Sequence, residues 1–188
     1  MSQNPQAQAS RTALLVIDAQ ESFRQRPYWR EDDLAVYFER QQALVDGAVA
    51  KGIPVVQVFH IDSGVFSRAS GYVRTLEELR IDPAFTVDKV KHSALAGSTL
   101  PAWLVEHGIT RLIVSGIRTE QCCETTTRAA SDAGYEVDYV TEATLTFPMK
   151  HPRTGRELSV AELKERTETV LVDRFARIVT VEEALAAV

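Results

Sequence analysis

Three short apolar runs, residues 12–17, 53–59 and 111–115, place the strongest constraint on the fold of this chain. Each run is apolar almost throughout and does not alternate regularly with polar residues. Continuous runs of this length are typical of strands that are buried on both faces, as they are in a parallel sheet. We therefore expect these segments to be interior strands of an α/β domain.

Segments with a helical period separate the apolar runs. Residues 33–51 place apolar side chains such as Leu34, Leu44 and Val45 on one side and end at Gly52, a typical residue after a helix C-terminus. Further helices are predicted at residues 98–107, 120–133 and 160–172, and further strands at residues 85–91, 136–140 and 176–180. This alternation predicts a single α/β domain with a mostly parallel sheet and right-handed crossovers. Active sites in such folds gather at the carboxyl ends of the strands.

Length and composition exclude several classes of protein. The 188 residues suffice for one domain whose core needs no disulfide or structural metal. A balance of 26 acidic against 21 basic side chains, without a basic stripe, argues against nucleic acid or a membrane as partner. The two cysteines are adjacent and cannot form a disulfide framework, so we expect a cytoplasmic location. Residues 1–10 lack a signal-peptide pattern and are expected to be a disordered tail before a domain at residues 11–188.

Three residues near predicted strand ends carry reactive groups. Asp18 directly follows the first apolar run, where it either caps the next turn or is presented at the edge of the sheet. Cys122 falls in the first turn of a predicted helix with Thr119 as N-cap, and the helix dipole favours its thiolate. Lys89 would favour both the carboxylate and the thiolate if it faced them. Spacing alone does not show that they meet, since most lysines are solvated and most cysteines are small core residues.

Four segments match recognisable motifs in order along the chain. Residues 15–23 fit an apolar strand followed by Asp-x-Gln-x-x-Phe, residues 89–100 fit Lys-x-x-x-Ser-Ala-Phe-x-x-Thr-x-Leu, residues 116–126 fit Gly-x-x-Thr-x-x-Cys-Val-x-x-Thr, and residues 142–144 fit Asp-Ala-Thr with glutamate first. Leu95, Ser98 and Cys123 replace the phenylalanine, threonine and valine of these patterns. With these motifs the chain resembles the isochorismatase-like cysteine hydrolases, which include nicotinamidases and N-carbamoylsarcosine amidohydrolases.

The resemblance implies a three-layer, Rossmann-like fold with a six-stranded sheet, and a catalytic triad of Asp18, Lys89 and Cys122. It also implies a cis peptide bond between Ile117 and Arg118 and an oxyanion hole built from the backbone N–H groups of Arg118 and Cys122. Cys123 would then be a packing residue, because the family has valine there. The implied reaction is hydrolysis of a small amide or ureido compound through a thioester, in which Asp18 takes the thiol proton and returns it to the leaving amine.

The resemblance also sets expectations for the pocket, for cofactors and for assembly. Candidate pocket residues, each of which is equally compatible with ordinary packing, are Phe23, Trp29, His60 and Phe66. Nicotinamidases hold a metal with an Asp-x-His segment and a second histidine, whereas this chain has Val58 at the aspartate position and no histidine between His60 and His92. We therefore expect no metal or other cofactor, a small-molecule substrate and a homodimer or homotetramer.

The long segment at residues 61–83 has little period, as is typical of a lid or binding loop, and substrate choice is expected to depend on it.

Two other functions remain compatible with the sequence. Isochorismatase itself cleaves a vinyl ether, and some of its relatives lack the cysteine, so the presence of Cys122 favours acyl transfer. A non-catalytic or redox protein would instead use the thiols for sensing or protein contact. The strain of a disulfide between adjacent cysteines, Cys122 and Cys123, counts against redox cycling.

Overall fold

The computed structural model describes residues 11–32 and 34–188, so the predicted tail at residues 1–10 lies outside the described residues. The strands are β1 (Thr12–Ile17), β2 (Val55–His60), β3 (Phe85–Lys89), β4 (Arg111–Ile117), β5 (Glu136–Leu145), β6 (Met149–Lys150), β7 (Glu157–Leu158) and β8 (Arg177–Ile178). The α-helices are α1 (Leu34–Ala50), α2 (Leu100–Glu106), α3 (Glu124–Asp132), α4 (Val160–Leu171) and α5 (Val181–Ala186). None of the helices in the described residues is long and apolar enough to cross a membrane.

Six strands form one parallel sheet in the order β3-β2-β1-β4-β5-β8, which confirms the predicted α/β fold. On one face α1 and α5 pack against the sheet through residues such as Leu44 and Val181. On the other face α2, α3 and α4 contribute Leu104, Ala130 and Leu171 to a second core. All six residues of β1 are buried between the two layers, as a continuous apolar run requires.

The carboxyl ends of β1 and β4 come unusually close together at Gly116. Gly116 pairs with Ile17 in the parallel ladder and has a φ of 116°. A Cβ atom at this position would lie 2.0 Å from the carbonyl oxygen of Ile17. Only glycine fits such a backbone contact, and it brings the segment after β4 next to Asp18, which follows β1.

The prediction of a helix at residues 120–133 is wrong about where the α-helix begins. The chain leaves β4 through a π-helical turn, Thr119–Cys123, and α3 begins only at Glu124. The predicted N-cap does not form, because the hydroxyl group of Thr119 shares a 2.7 Å hydrogen bond with that of Thr144 on β5. The carbonyl group of Thr119 also accepts a hydrogen bond from the Tyr139 hydroxyl on β5. A neighbouring strand therefore determines the shape of this turn.

Short elements in the C-terminal half were not predicted. Helix α5 has six residues, and β6 and β7 have two each, so none of them is long enough to show a hydrophobic period. The sequence does contain one signal for α5, since Thr180 and Glu183 form a capping box at its N-terminus. Strand β5 also continues past the predicted end at residue 140 to Leu145, and β3 ends at Lys89 instead of residue 91.

The long segment at residues 61–83 is anchored to the chain just after β1. The hydroxyl group of Ser22 donates a 3.0 Å hydrogen bond to the carbonyl oxygen of Tyr72. The backbone N–H of Leu76 donates to the carbonyl oxygen of Ala19. These bonds fix the segment as a wall at the carboxyl edge of the sheet.

Candidate active site

The sheet brings Asp18, Lys89 and Cys122 to one place at its carboxyl edge. Asp18 follows β1 directly and has a left-handed backbone, with a φ of 50°. Lys89 is the last residue of β3, two strands away, and Cys122 lies in the π-helical turn after β4. Because β1 lies between β2 and β4 in the strand order, the carboxyl group of Asp18 is within reach of the side chains of Lys89 and Cys122.

Lys89 joins the other two side chains into one cluster. The Lys89 Nζ atom lies 2.8 Å from Oδ2 of Asp18 and 3.5 Å from Sγ of Cys122. The Cys122 thiol lies close enough to the Asp18 carboxyl group to lower its pKa. All three residues are buried, with exposed fractions of 0%, 1% and 7% for Asp18, Lys89 and Cys122. The cluster is therefore shielded from bulk water.

The charges of this cluster are set by burial and by mutual contact. Burial raises the pKa of Asp18 above its ordinary value, although the Lys89 ammonium opposes this. Burial lowers the pKa of Lys89, but its interactions with Asp18 and Cys122 outweigh this effect, so the pKa of Lys89 is raised. At neutral pH Lys89 is therefore an ammonium and Cys122 a thiol, and both face the Asp18 carboxyl group.

The pKa of Cys122 corrects one expectation from the sequence. Burial, followed by the charge of Asp18, raises the pKa of Cys122 from 9.0 to about 12. A helix dipole contributes only about 0.3–1 kcal/mol at its N-terminus, too little to offset this burial. The resting residue is consequently a thiol, and a base must remove its proton when it reacts.

Cys123 faces away from the cluster into the core. Its side chain is fully buried, and its sulfur lies 3.7 Å from the carbonyl oxygen of Ser115 on β4. Burial raises the pKa of Cys123 well above its ordinary value. The two adjacent thiols therefore occupy different environments, and only Cys122 contacts charged groups.

The turn between β4 and Cys122 contains the two backbone groups that the resemblance assigns to an oxyanion hole. The peptide bond between Ile117 and Arg118 is cis. The carbonyl oxygen of Arg118 accepts hydrogen bonds from the N–H groups of Gln121 and Cys123, which closes the turn around it. The guanidinium group of Arg118 is engaged elsewhere, since it lies 3.2 Å from the Glu120 carboxylate.

A cavity of about 250 Å³ opens beside Cys122. Three of the four predicted pocket residues line it, namely Phe23, His60 and Phe66. Trp29 does not line it and packs instead against Phe147, with ring centroids 5.2 Å apart. Lining residues that the sequence did not single out are Arg26, Tyr28, Asp62, Ser63, His92 and Gln121. Most of them belong to the loops after β1, β2 and β3, where strand-end position was the only available signal.

One ring nitrogen of the histidine that lines this cavity is in contact with Lys89. The Nδ1 atom of His60 lies 3.3 Å from the Lys89 ammonium, so a cation already occupies the place where a metal would bind this nitrogen. Val58 offers no ligand on the same strand. Within residues 11–32 and 34–188, no cluster of three or more histidine, cysteine or acidic side chains is arranged to hold a metal ion.

Comparison with known proteins gives a match over nearly the whole chain. Residues 12–183 match the family profile of the isochorismatase domain. An uncharacterised isochorismatase-family protein of Bacillus subtilis is 23% identical over 177 residues, which cover 92% of this chain and 94% of that protein. Nicotinamidase 3 of Arabidopsis thaliana is 35% identical over 86 residues, which cover 46% of this chain and 40% of that protein.

Solved structures share the fold. A Burkholderia xenovorans protein grouped with the isochorismatases superposes with a TM-score of 0.84 at 27% identity, covering 96% of this chain and 88% of that chain. A cysteine hydrolase from Pseudomonas syringae superposes with a TM-score of 0.82 at 23% identity, covering 94% of this chain and 91% of that chain. The second likeness is one of fold alone.

Proposed function

Because the chain belongs to the isochorismatase family, we propose that it is a cysteine-dependent hydrolase of the carbon–nitrogen bond in a small amide or ureido compound. One observation carries the proposal: Lys89 contacts both Asp18 and Cys122 beside a cavity of about 250 Å³. A nucleophile, a base in contact with it and a third group that orients the pair are the usual parts of covalent catalysis.

The resting charges define the first step. Asp18 accepts the thiol proton of Cys122 as the sulfur attacks the carbonyl carbon of the substrate. The Lys89 ammonium contacts both the carboxylate and the sulfur, so it stabilises negative charge on either partner during the transfer. The high pKa of Cys122 makes this base essential, because almost no thiolate is present at neutral pH without it.

Attack converts the carbonyl oxygen into an oxyanion that needs hydrogen-bond donors. The backbone N–H groups of Arg118 and Cys122 belong to the same tight turn, and we assign them this role. The loss of one such donor typically lowers the rate by a factor of about 10²–10³.

Collapse of the tetrahedral intermediate breaks the carbon–nitrogen bond. Asp18, now protonated, gives its proton to the leaving amine, and the acyl group remains on Cys122 as a thioester. Asp18 then activates a water molecule that attacks the thioester, which releases the carboxylic acid and regenerates the thiol. The balance is one amide plus one water giving one acid plus one amine.

Two observations support an amide or ureide as the substrate. Nicotinamidase 3, whose name identifies an amide substrate, shares 35% identity with 86 residues of this chain. The cavity is small, and its lining includes Phe23 and Phe66 with the polar side chains of Arg26 and Gln121. We propose that the reaction needs no metal, because Lys89 contacts Nδ1 of His60 and the described residues contain no cluster of three or more histidine, cysteine or acidic side chains that could hold a metal ion.

The adjacent cysteines offer a matched test of this function. Cys122→Ala removes the nucleophile, whereas Cys123→Val restores the residue that the family motif has at a buried position. Ammonia release is measured over a panel of small amides and ureides, with the melting temperature as a control for folding. We expect Cys122→Ala to abolish release and Cys123→Val to retain it. Equally slow release by the wild type and Cys122→Ala across the panel would contradict the proposal.

A further inference from the structure

His60 is the last residue of β2 and contacts the proposed machinery without belonging to it. It pairs with Lys89 in the parallel ladder between β2 and β3. Its ring lines the same cavity as Cys122, and its Nδ1 atom lies 3.3 Å from Nζ of Lys89. A residue in this position can touch both the catalytic lysine and a bound substrate.

The contact with Lys89 decides which nitrogen of the His60 ring carries the proton. An ammonium group has three donors and no acceptor, so the Nδ1 atom that faces it must offer a lone pair. The Asp18 carboxylate, 2.8 Å from Nζ, keeps Lys89 protonated. Burial, together with the charge of Lys89, also lowers the pKa of His60 and so favours the neutral ring. A neutral imidazole with a free Nδ1 carries its hydrogen on Nε2.

The backbone of His60 is clamped by a buried amide. The side chain of Gln20, which is fully buried, accepts a 2.8 Å hydrogen bond from the N–H of His60 and donates a 3.0 Å hydrogen bond to its carbonyl group. The Phe66 ring also packs against the imidazole in a T-shaped arrangement, with centroids 5.8 Å apart. Both ends of the residue are therefore held, and Nε2 keeps a defined place in the cavity wall.

The Nε2–H group of His60 is the hydrogen-bond donor that remains available to a ligand. In the described part of the chain, Nε2 makes no hydrogen bond to protein, while Nδ1 is used by Lys89. A site that fixes a donor in its wall favours ligands with a matching acceptor and disfavours those that leave the donor unpaired.

We propose that His60 is a specificity-determining residue whose Nε2–H donates a hydrogen bond to an acceptor on the acyl part of the substrate. The inference deepens the proposed function and rests on it. The substrate class is then a small amide or ureide with a second acceptor beyond the scissile carbonyl group, such as a carboxylate, a second carbonyl or a ring nitrogen. Amides with a purely hydrocarbon acyl group are poor substrates by the same argument.

The tautomer can be measured without any turnover. Long-range ¹⁵N–¹H correlation spectra of the labelled protein distinguish Nε2–H, Nδ1–H and doubly protonated rings, and the spectrum of His60→Gln identifies the signals of His60. We expect the neutral Nε2–H form at pH 7. Lys89→Met removes the ammonium, so the preference for this tautomer should fall and the pKa of His60 should rise towards its ordinary value of 6.5. A neutral Nδ1–H ring or a cationic ring in the wild type at pH 7 would overturn the proposal.

The donor role is tested with pairs of amides that differ by one acceptor, such as pyridine-3-carboxamide with benzamide and succinamate with butyramide. The readout is the ratio of kcat/KM within each pair. His60→Phe keeps a planar ring without a donor, and His60→Gln keeps an N–H donor of similar reach. We expect His60→Phe to lower the preference for the acceptor-bearing amide by about tenfold or more and His60→Gln to restore part of it.

The two levels of the proposal fail in different ways. Turnover that depends on Cys122, with the same ratio in the wild type and His60→Phe for every pair, overturns the role of His60 and leaves the hydrolase intact. Absence of turnover in every pair counts against the hydrolase and with it against the substrate contact, while the tautomer spectrum still reports on the lysine contact.

Discussion

Burial of a single thiol determines how the reaction has to begin. The pKa of Cys122 is raised to about 12 because the sulfur is desolvated and faces the Asp18 carboxylate. In the proposed mechanism this thiol stays unreactive until a substrate arrives and Asp18 takes its proton. In the absence of substrate, Cys122 should therefore react slowly with alkylating agents and oxidants, since both reactions need the thiolate.

The first prediction concerns the pH dependence of alkylation. The raised pKa means that Cys122 stays protonated as the pH rises through 7 and 9, so its reaction with iodoacetamide should be slow and should keep accelerating over that range. Peptide mapping should find the label on Cys122 and not on the fully buried Cys123. A rate that reaches a plateau below pH 8, or preferential labelling of Cys123, would contradict these assignments.

Asp18→Asn should separate the reactivity of the thiol from catalysis. The charge of Asp18 raises the pKa of Cys122, and that of Lys89 lowers it, so loss of the carboxylate leaves an ammonium beside the sulfur. We expect alkylation of Cys122 to become faster than in the wild type while hydrolysis of amides falls by at least about 10². Slower alkylation together with retained turnover would exclude Asp18 as the base.

The loss of wild-type activity at low pH is expected to follow from the same carboxyl group, that of Asp18. As the proposed base, Asp18 must be ionised to accept the thiol proton, and burial raises its pKa above the ordinary 3.8. The value of kcat/KM should therefore fall as the pH drops through a value higher than 3.8. A profile that stays flat down to pH 3.8 would mean that another group is the base.

At the level of elements, the junction between β1 and β4 holds the site together. Gly116→Ala would place a Cβ atom 2.0 Å from the carbonyl oxygen of Ile17, so the two strand ends must separate. We expect a loss of unfolding free energy of roughly 3 kcal/mol or more, together with loss of activity as Asp18 moves. Urea denaturation and ammonia release measure the two effects.

Gly134→Ala is the matched control for this substitution. Gly134 also has a positive φ, of 90°, but an added Cβ would meet no atom within 4 Å. The free energy of unfolding should fall by only about 1–2 kcal/mol, which is the penalty for a side chain on a left-handed backbone, and activity should persist. If the two variants lost the same stability, the close contact of β1 with β4 would not be the cause.

Local patterns explain some elements better than others. The apolar run of β1 is buried on both faces and matches residues 12–17 of the prediction without error. The π-helical turn at Thr119–Cys123 was missed because Thr144 and Tyr139, on a different strand, take the hydrogen bonds that a capped α-helix would have used. Sequence periodicity reports on helices and strands of ordinary length, and it carries no information about such contacts.

At the scale of the whole molecule, strand order assembles the site. Asp18, Lys89 and Cys122 are far apart in sequence, and they meet because β1 lies between β2 and β4, with β3 beyond β2. The same order places His60 on β2 next to Lys89. The consequence is a cluster in which the Lys89 ammonium lies 2.8 Å from the Asp18 carboxyl group inside the fold.

Removal of metals tests the proposal that the reaction needs none. Since the described residues contain no cluster of three or more side chains that could hold a metal ion, overnight treatment with EDTA should leave the rate of ammonia release and the melting temperature unchanged. Elemental analysis of the purified protein should find less than one bound metal per chain. Loss of activity on chelation with recovery on adding Zn²⁺ or Mn²⁺ would show that a metal takes part.

Much of the fold and the identity of the reactive residues were determined by the sequence alone. Continuous apolar runs specify strands buried on both faces, and the motifs around Asp18, Lys89 and Cys122 point to one family, because both signals are local in the chain. Three things were decided only by the tertiary structure: the contacts within the cluster, the protonated state of the Cys122 thiol and the tautomer of His60. Each depends on how far water is excluded and on which charges from distant strands lie within a few ångströms, and no segment of the chain contains that information by itself.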